Sequence, residues 1–420
     1  MSIKIKPYDI IIIGSGISGL YSALNIQKNC PNTSFLVLEK YKKQWIGGRT
    51  SNETFHGTTI VTGAGVGRKN KDKLLIKLMK ELDIHYSEYK SSINYSPLFN
   101  HLDIIEIINK LKNLYRKHPE LHDKTFKQFF IKTLGEELYK KFIMSVGYTD
   151  YENEDVYETL YNYGMDDNKE GWVGLHIPWK KMVDTLYHKI GSDHFKFSTN
   201  VISVKKIKES PCLFEIKCED NKMYHSNKVI IATTISGIKS LVPGASNKNS
   251  IYQQIHGQPF LRLYAKFNKE STEIMKKYVT TYTIVPGPLQ KIIPMDPDKG
   301  VYMIAYSDNN SAMLLHRYLK NTSRNRDLYC GLLEKSLGIP DGSLQITDIK
   351  DYYWPIGTHY YEPLKREEFH NRDDFIYAAQ HPEKGMLVVG EVVSRHQGWV
   401  EGALESVKAV LDKKLVKTVC

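Results

Sequence analysis

Residues 8–40 read YDIIIIGSGISGLYSALNIQKNCPNTSFLVLEK, and this stretch decides the fold. The run YDIIII at 8–13 has the continuous apolar and β-branched character of a parallel strand buried on both faces. Residues 14–29 then carry apolar side chains at helical spacing, and SFLVLEK at 34–40 predicts a second buried strand. The stretch therefore predicts a β-α-β unit of an α/β fold with Rossmann-type topology.

Three glycines lie between the first strand and the helix. Gly14, Gly16 and Gly19 form the pattern Gly-x-Gly-x-x-Gly, in which the first makes a tight turn, the second lets a pyrophosphate approach the backbone, and the third permits close helix–strand packing. Glu39 ends the second strand, where its carboxylate can accept hydrogen bonds from ribose hydroxyls and repels a 2′-phosphate. With the strand, the helix and the acidic residue in place, the pattern predicts a dinucleotide site.

A second glycine turn follows the β-α-β unit. Residues 47–50 read GGRT, a sequence that is not part of a plain NAD site. The guanidinium of Arg49 is suited to a diphosphate. From this motif alone, a solvated loop arginine remains an alternative.

The rest of the chain predicts a second, inserted domain. Helical patterns cover 72–83, most of 104–165, and 179–190; strand patterns cover 195–232 and, with antiparallel alternation, 258–308; a late buried strand at 386–391 precedes a helix at 401–415. Because both chain ends carry nucleotide-site patterns, we expect a discontinuous cofactor domain and a substrate domain of mixed antiparallel sheet and helices. The predicted boundaries are 1–80 with 180–245 and 375–420 for the first domain, and 81–179 with 246–374 for the second.

Composition excludes several classes of protein. The 420 residues are 41% hydrophobic, which excludes a disordered chain, and the formal charge of +11 permits anionic partners without showing one. No nucleic-acid motif is present, so no nucleic-acid partner is expected. No stretch approaches the ~20 apolar residues of a membrane span. The five cysteines form no Cys-x-x-Cys pair, so neither a metal site nor a disulfide framework is expected. Without a signal peptide, we expect a cytoplasmic protein.

Together, these motifs resemble the flavin-dependent amine oxidase family, which includes monoamine, polyamine and L-amino-acid oxidases. The resemblance covers residues 8–84, more weakly 171–190 with the strands at 201 and 228–233, and then 385–410, which read GMLVVGEVVSRHQGWVEGALESVKAV. Residues 90–170 and 270–350 carry little resemblance. The motifs are specific for the flavoprotein superfamily but not for one substrate.

The resemblance implies FAD as the cofactor, held by residues from both chain ends. At the nucleotide end, Gly14, Gly16 and Gly19 would face the pyrophosphate, Glu39 would face the adenosine ribose, and Val201 would contact the adenine through its backbone. Gly48 and Arg49 would lie near the diphosphate and the flavin end, and Gly390 and Glu391 would contact the diphosphate and ribityl region. Trp399 and Val400 would contact the pyrimidine side of the flavin. The helix predicted at 401–415 would point its N-terminal dipole toward flavin N1, where reduced flavin is negative.

The resemblance also implies an aromatic cage for the substrate amine. Residues 354–361 read WPIGTHYY, which places Trp354 and His359 beside the substrate and Tyr360 as one wall of the cage, with Trp399 as the other wall. Core packing of these aromatics is the alternative. No cysteine stands where monoamine oxidases attach their flavin; His359 stands there instead, and a hydrogen-bonded histidine is favoured over a histidyl link.

One departure concerns the lysine with which the family holds a water against flavin N5. The segment PFLRLYAKF at 259–267 places Arg262 at that position, and a shifted register offers Lys266. Arginine stays protonated and cannot act as a base near neutral pH, but it can pair with a substrate carboxylate. An outward-facing arginine on a strand is the alternative.

An acidic, tyrosine-rich segment stands out in this basic chain. Its carboxyl groups are Asp150, Glu152, Glu154, Asp155, Glu158, Asp166 and Asp167. A polycation could be drawn to an entrance there; a solvated helix face with packed tyrosines is the favoured interpretation.

The resemblance implies an FAD-dependent oxidoreductase that takes hydride from a primary amine or polyamine to flavin N5. Oxygen would be the acceptor, and an imine or aldehyde and hydrogen peroxide the products. An L-amino-acid oxidase, motivated by Arg262, or a carbon–carbon desaturase or oxidase is the alternative among enzymes, and an FAD-stabilised scaffold protein the alternative among non-enzymes. The sequence leaves open whether the chain forms a homo-oligomer.

Overall fold

A seven-stranded sheet contains the predicted β-α-β unit. The computed structural model describes residues 7–165, 171–209 and 212–411. Strands are β1 (Tyr8–Ile13), β2 (Phe35–Leu38), β3 (Asn52–Phe55), β4 (Thr58–Val61), β5 (Gly67–Arg68), β6 (Ser87–Lys90), β7 (Ile93–Tyr95), β8 (Val173–His176), β9 (Phe195–Lys196), β10 (Val201–Glu209), β11 (Cys212–Cys218), β12 (Met223–Ile231), β13 (Ile255–Phe267), β14 (Tyr282–Ile284), β15 (Lys291–Asp296), β16 (Val301–Asp308), β17 (Ile346–Tyr361) and β18 (Met386–Val388).

Helices flank this sheet and build a separate cluster. They are α1 (Ile17–Asn29), α2 (Lys73–Glu81), α3 (Ile104–Lys117), α4 (Phe126–Leu134), α5 (Glu136–Val146), α6 (Val156–Tyr161), α7 (Trp179–Ile190), α8 (Ile235–Leu241), α9 (Lys269–Tyr278), α10 (Asn309–Leu315), α11 (Ser323–Leu337), α12 (Arg372–Gln380) and α13 (Val400–Val410). Helices α3 to α6 enclose an aromatic-rich core of their own.

The first sheet has the strand order β10-β11-β12-β1-β2-β9, with β18 also paired to β12. Strand β1 runs parallel to both β2 and β12. Its side chains alternate between two cores, because Ile10 and Ile12 pack with one cluster and Ile11 and Ile13 with the other. The prediction of a parallel strand buried on both faces is confirmed.

The second sheet has the order β17-β13-β16-β15-β14-β7. Its pairs are antiparallel as predicted, except that β14 runs parallel to β7. The strand predicted from 278–285 is shortened to Tyr282–Ile284, because α9 continues to Tyr278.

The strands of these two large sheets fall within the segments assigned to the first and second predicted domains, respectively. The small sheet β5-β8-β6 joins residues from both, and the division of the chain stays a prediction.

Two further expectations concern the chain as a whole. Within the described ranges, no helix combines the length and the apolar character that crossing a membrane requires. Cys218 and Cys330 are buried free thiols, but Cys30 is disulfide-bonded, so the expectation of a chain without disulfides is wrong at this residue.

Candidate functional site: a dinucleotide groove and an acidic cavity

The first and third glycines of the fingerprint are required by packing. Gly14 has a φ of +106°, and a Cβ there would collide with the carbonyl oxygen of Ala232. A Cβ on Gly19 would collide with the carbonyl oxygen of Gly14. These contacts hold the start of α1 close to β1 and β12, as the fingerprint predicts.

The second glycine faces open space instead. A Cβ on Gly16 would meet nothing within 4 Å, and one on Gly48 would meet only the Cα of Gly16 at 3.7 Å. The N–H of Gly47 donates to the carbonyl oxygen of Ser15 at 2.9 Å, which holds the two glycine turns side by side. No side chain caps the N-terminus of α1, so its N–H groups and the positive end of its dipole are free at the open space beside Gly16 and Gly48. We call this space the groove. This geometry fits a diphosphate.

The far end of the groove fits an adenosine. The carboxylate of Glu39 is buried and accepts hydrogen bonds from the N–H and hydroxyl of Ser15, both at 2.8 Å, and from the N–H of Tyr41 at 2.9 Å. The N–H of Thr199 donates to the carbonyl oxygen of Glu39 at 2.8 Å. This bond brings the start of β10, and so the backbone of Val201, toward Glu39, while the Val201 side chain packs in the core.

Glu391 connects the two glycine turns with β17. Its carboxylate accepts hydrogen bonds from Arg49 at 3.0 Å, from Nδ1 of His359 at 2.5 Å and from the N–H of Gly398 at 3.0 Å. Burial alone would raise the pKa of Glu391, but the interactions with His359 and Arg49 outweigh it and lower the pKa to about 2. Glu391 is therefore an anion, and Gly390 before it has a φ of +131°.

His359 is held through both ring nitrogens. Its Nδ1 faces the carboxylate of Glu391, and its Nε2 lies 3.1 Å from the N–H of Ile235. It is a hydrogen-bonded histidine, as the sequence favoured, and 3% exposed.

A short segment, residues 62–65, joins the groove to the second sheet. The N–H of Ala64 donates to the carbonyl oxygen of Arg49 at 2.7 Å. From the second sheet, Trp354 donates through Nε1 to the carbonyl oxygen of Thr62 at 2.7 Å, and Arg262 donates through Nε to the carbonyl oxygen of Gly63 at 2.8 Å. Trp354 and Arg262 therefore lie beside the segment that contacts Arg49.

Arg262 and Lys266 have different surroundings. The guanidinium of Arg262 is buried and lies 4.1 Å from the centre of the Tyr306 ring. Burial lowers the pKa of Arg262, but Tyr306 and Tyr264 outweigh it and raise the pKa, so this side chain is a permanent cation. Lys266 lies at the C-terminal end of β13, and its ammonium donates to the carbonyl oxygen of Lys299.

The acidic segment and Tyr360 line one cavity. Its lining includes Asp150, Glu154 and Glu158 from the acidic segment, together with Thr358, Tyr360 and Gly398. The Tyr360 ring stacks on His256 with centres 5.2 Å apart. The favoured interpretation of a solvated helix face is wrong for Glu154 and Glu158, because both are buried: Glu154 accepts from the hydroxyl of Thr159, and Glu158 pairs with Arg395. Asp166 and Asp167 lie outside the described residues.

The carboxyl groups of this cavity have unusual protonation. Burial, aided by the negative charge of Asp308, raises the pKa of Asp150 to about 7. Burial also raises the pKa of Glu154. Glu158 instead pairs with Arg395 at 2.8 Å. The cavity thus contains carboxyl groups that a cationic ligand would ionise.

Trp399 lies at the start of α13, where no side chain caps the helix and where Val400 is the first helical residue. Its ring covers the guanidinium of Arg68, 3.5 Å from the ring centre, and Arg68 in turn pairs with Asp72 at 2.7 Å. Gly398 lines the cavity, but Trp399 is not among its described lining residues. The pairing of Tyr360 and Trp399 as a cage stays a prediction.

Sequence reasoning missed the buried charges behind the cavity. Lys291 is 0% exposed, and its ammonium lies 3.0 Å from the centre of the Tyr148 ring. Asp308, also 0% exposed, accepts hydrogen bonds from the N–H and hydroxyl of Thr149 and from Gln290. A lysine at the start of an apolar strand carries no sequence signal of burial. Across the described ranges, no group of three or more His, Cys, Asp or Glu could hold a metal ion.

One of two sequence comparisons finds a match to this chain. Residues 12–82 match the model of an NAD(P)-binding Rossmann-like domain. A search of curated protein sequences gives no match.

Solved structures then give the fold of the whole chain. A putrescine oxidase bound to putrescine matches with a TM-score of 0.74 and 13% identity, over 98% of this chain and 99% of that one. The cyclohexylamine oxidase from Brevibacterium oxydans IH-35A matches with a TM-score of 0.74 and 16% identity, over 99% of each chain. At these identities the likeness establishes the fold: the chain has the architecture of these two amine oxidases.

Proposed function

We propose that the chain is an FAD-dependent oxidoreductase that oxidises amines, with oxygen as acceptor and hydrogen peroxide as a product. The observation that carries the proposal is the cavity lined by Asp150, Glu154 and Glu158 together with Tyr360 and Gly398. An amine is a cation at neutral pH, and buried carboxyl groups attract a cation strongly where water is scarce. The fold shared with a putrescine oxidase and a cyclohexylamine oxidase supports the same chemistry.

The groove fits the cofactor. The open space at Gly16 and Gly48, the uncapped helix α1 and the ribose-side carboxylate of Glu39 suit a dinucleotide. Arg49 and Glu391 would lie along its diphosphate and ribityl region. When bound, FAD accepts the hydride that leaves the carbon beside the amine nitrogen.

The chain's own residues bind and orient the amine. The Tyr360 ring offers an aromatic face to a cation, and the carboxyl groups opposite it hold the nitrogen. The surrounding protein limits access of water, which strengthens these interactions.

Among amines, we favour those with a second positive charge. Neither Asp150 nor Glu154 has an ion-pair partner within the described residues, so two carboxyl groups in the cavity are free for two ammonium groups. An amino-acid substrate is less well supported, because Arg262 is engaged by Gly63 and Tyr306 and is not among the described lining residues of the cavity.

An anaerobic bleaching screen tests the function. The FAD-loaded protein is mixed without oxygen with putrescine, butylamine, cyclohexylamine and an L-amino acid, and flavin absorbance is followed before and after air is admitted. We expect amines to bleach the flavin, and air to restore it with formation of hydrogen peroxide. If no amine bleaches it, the proposal fails and a scaffold role is favoured; if bleaching occurs but air does not restore the colour, oxygen is not the acceptor.

Putrescine and butylamine form a matched pair, since they share a four-carbon chain and differ by one ammonium group. We expect kcat/KM to be about tenfold higher or more for putrescine, as one additional charge-assisted contact contributes about 1.5–3 kcal/mol. Equal values would remove the preference for diamines and leave amine oxidation intact.

A further inference from the structure

The carboxyl group of Asp150 is placed to exchange a proton inside the cavity. Its Oδ1 accepts a hydrogen bond from the hydroxyl of Tyr163 at 2.5 Å. Among the described residues, no side chain other than Tyr163 donates a hydrogen bond to this carboxyl group. Nε2 of Gln258 donates to the Asp150 carbonyl oxygen at 2.6 Å and fixes the backbone. All three residues line the cavity together with Tyr360.

Oxidation of an amine requires such a group. An alkylammonium has a pKa of about 10.4, like that of a lysine side chain, so nearly every substrate molecule enters as a cation at neutral pH. Hydride can leave the neighbouring carbon only when the nitrogen has a lone pair to donate. The cation must therefore lose a proton within the cavity before it reacts.

We propose that Asp150 is a catalytic residue that takes this proton, an inference that rests on the proposed amine oxidation. The ionised carboxylate first binds the ammonium through Oδ2. One N–H bond then breaks and one O–H bond forms, giving a neutral amine and a neutral carboxylic acid. No electron leaves either partner in this step, and the proton later returns to solvent through the cavity.

The electrostatic surroundings suit a proton acceptor that works near neutral pH. The groups that face Asp150 are Tyr148, Tyr151, Glu154, Glu158 and Tyr163 from its own segment and α6, Asp308 from β16, Lys291 from β15, His359 and Tyr360 from β17, and Arg395. Burial and Asp308 raise the pKa of Asp150 to about 7, against the opposing effects of Tyr163 and Lys291. A base is most effective when its pKa lies near the working pH.

The pH profile of the Asp150→Asn variant tests the proposal. In the native protein, the ionised fraction of Asp150 rises with pH while the substrate stays almost wholly an ammonium ion up to about pH 9, so kcat/KM should rise below pH 7 and then level off. Without the carboxylate, only free amine reacts, and kcat/KM should rise about tenfold per pH unit from 7 toward the pKa of the substrate. From pH 7 to 9 we expect a change below about twofold in the native protein and about 100-fold in the variant.

Glu152→Gln is the matched control. Glu152 belongs to the same segment, but its carboxylate accepts from Tyr139 and Lys127 and is not among the described residues that line the cavity. Its profile should level off near pH 7 as in the native protein. A plateau near pH 7 in Asp150→Asn would overturn the inference, whereas absence of bleaching by any amine in the native protein would overturn the proposed function.

A binding measurement gives a readout independent of turnover. tert-Butylamine has no hydrogen on the carbon beside nitrogen and cannot be oxidised. Its Kd, measured by titration calorimetry, should fall about tenfold between pH 6 and 8 in the native protein as Asp150 ionises, and should not change through this range in Asp150→Asn. An unchanged native Kd would contradict contact between Asp150 and the ammonium.

If Asp150→Asn does not fold, a second variant tests the same proposal. Tyr163→Phe removes one hydroxyl that stabilises the ionised carboxylate. The pKa of Asp150 should then rise, and the point at which kcat/KM levels off should move up by about one pH unit. A profile that stays at its native position would count against Asp150 as the proton acceptor.

Discussion

Lys291 is a fully buried lysine, and its replacement by methionine is expected to stabilise the protein at neutral pH. The ammonium donates to the carbonyl oxygen of Gly147 at 2.5 Å and lies against the ring of Tyr148. Burial lowers the pKa of Lys291 to about 7, and the negative charges of Asp308 and Asp150 offset only part of this effect. Folding therefore requires release of a proton that the unfolded chain retains.

The magnitude follows from the difference in pKa between the two states. An unfolded lysine has a pKa of about 10.4, and each unit of difference corresponds to about 1.4 kcal/mol. The protonation cost of burying Lys291 is then about 4 kcal/mol at pH 7. Methionine removes this cost but leaves the Gly147 carbonyl without a donor, a loss of about 1–3 kcal/mol. The expected net gain for Lys291→Met is about 1–3 kcal/mol at pH 7.

The gain must depend on pH. Between pH 7 and about 10.4 the unfolded chain binds a proton at Lys291 that the folded chain does not, so the stability of the native protein rises with pH in this window. The advantage of Lys291→Met should shrink over the same window and become a deficit above it. Urea unfolding of the FAD-loaded proteins at pH 7, 8.5 and 10 measures both quantities.

Lys266→Met provides the control, because Lys266 lies on β13 of the same sheet and is only partly buried. Its unfolding free energy should stay within about 0.5 kcal/mol of the native value at each pH. The reasoning is refuted if Lys291→Met is less stable than the native protein at pH 7 by an amount that does not vary up to pH 10, since Lys291 would then be a paired cation.

Other predictions concern the cofactor groove. Gly16→Ala should keep the unfolding free energy of the FAD-free protein within about 1 kcal/mol of the native value but reduce flavin retention, because the added methyl group occupies open space in the groove. Gly19→Ala should destabilise the chain itself, because its Cβ collides with the Gly14 carbonyl oxygen. The reverse ranking of the two variants in urea unfolding would contradict this assignment. The flavin should be bound without a covalent link, since both nitrogens of His359 already have partners; flavin that sediments with acid-precipitated protein would show otherwise. Glu391→Gln should weaken FAD binding about tenfold or more, as it removes the anion that positions Arg49; an unchanged Kd from flavin fluorescence would contradict this role.

The cofactor half of the molecule could be predicted from sequence because its requirements are local. The close contact of Gly19 with Gly14 and the hydrogen bonds from Ser15 to Glu39 lie within one β-α-β unit. Strand β1 alternates between two cores as its continuous apolar run indicates. Such patterns survive in a single sequence since spacing and residue type alone express them.

The substrate half could be predicted only in part, because its contacts join distant segments. Asp150 and Tyr360 meet in one cavity although 210 positions separate them in the chain. Lys291 begins an apolar strand, and nothing in its local pattern distinguishes a buried amine from an exposed one. The charge of the acidic segment is visible in the sequence, but the burial of Glu154 and Glu158 depends on packing that charge alone does not indicate.

The surroundings of ionisable groups have opposite effects on protonation in the groove and in the cavity. Near the groove, Glu391 is surrounded by donors and by Arg49, so its pKa falls to about 2 and its charge does not change near neutral pH. In and behind the cavity, Asp150 and Lys291 lack comparable compensation, and their pKa values converge near 7. Opposed environments of this kind separate groups that hold a ligand from groups that exchange protons.

A test follows from this separation. The Kd for FAD, measured by quenching of flavin fluorescence, should vary by less than about twofold between pH 6 and 8, because the charges on Arg49 and Glu391 stay constant there. Amine turnover should change about fivefold from pH 6 to 7, because the ionisation of Asp150, with a pKa of about 7, controls it. A cofactor Kd that follows the same pH dependence as turnover would mean that Asp150 and Lys291 act on the groove itself, and the division between a fixed-charge end and a titrating end would be wrong.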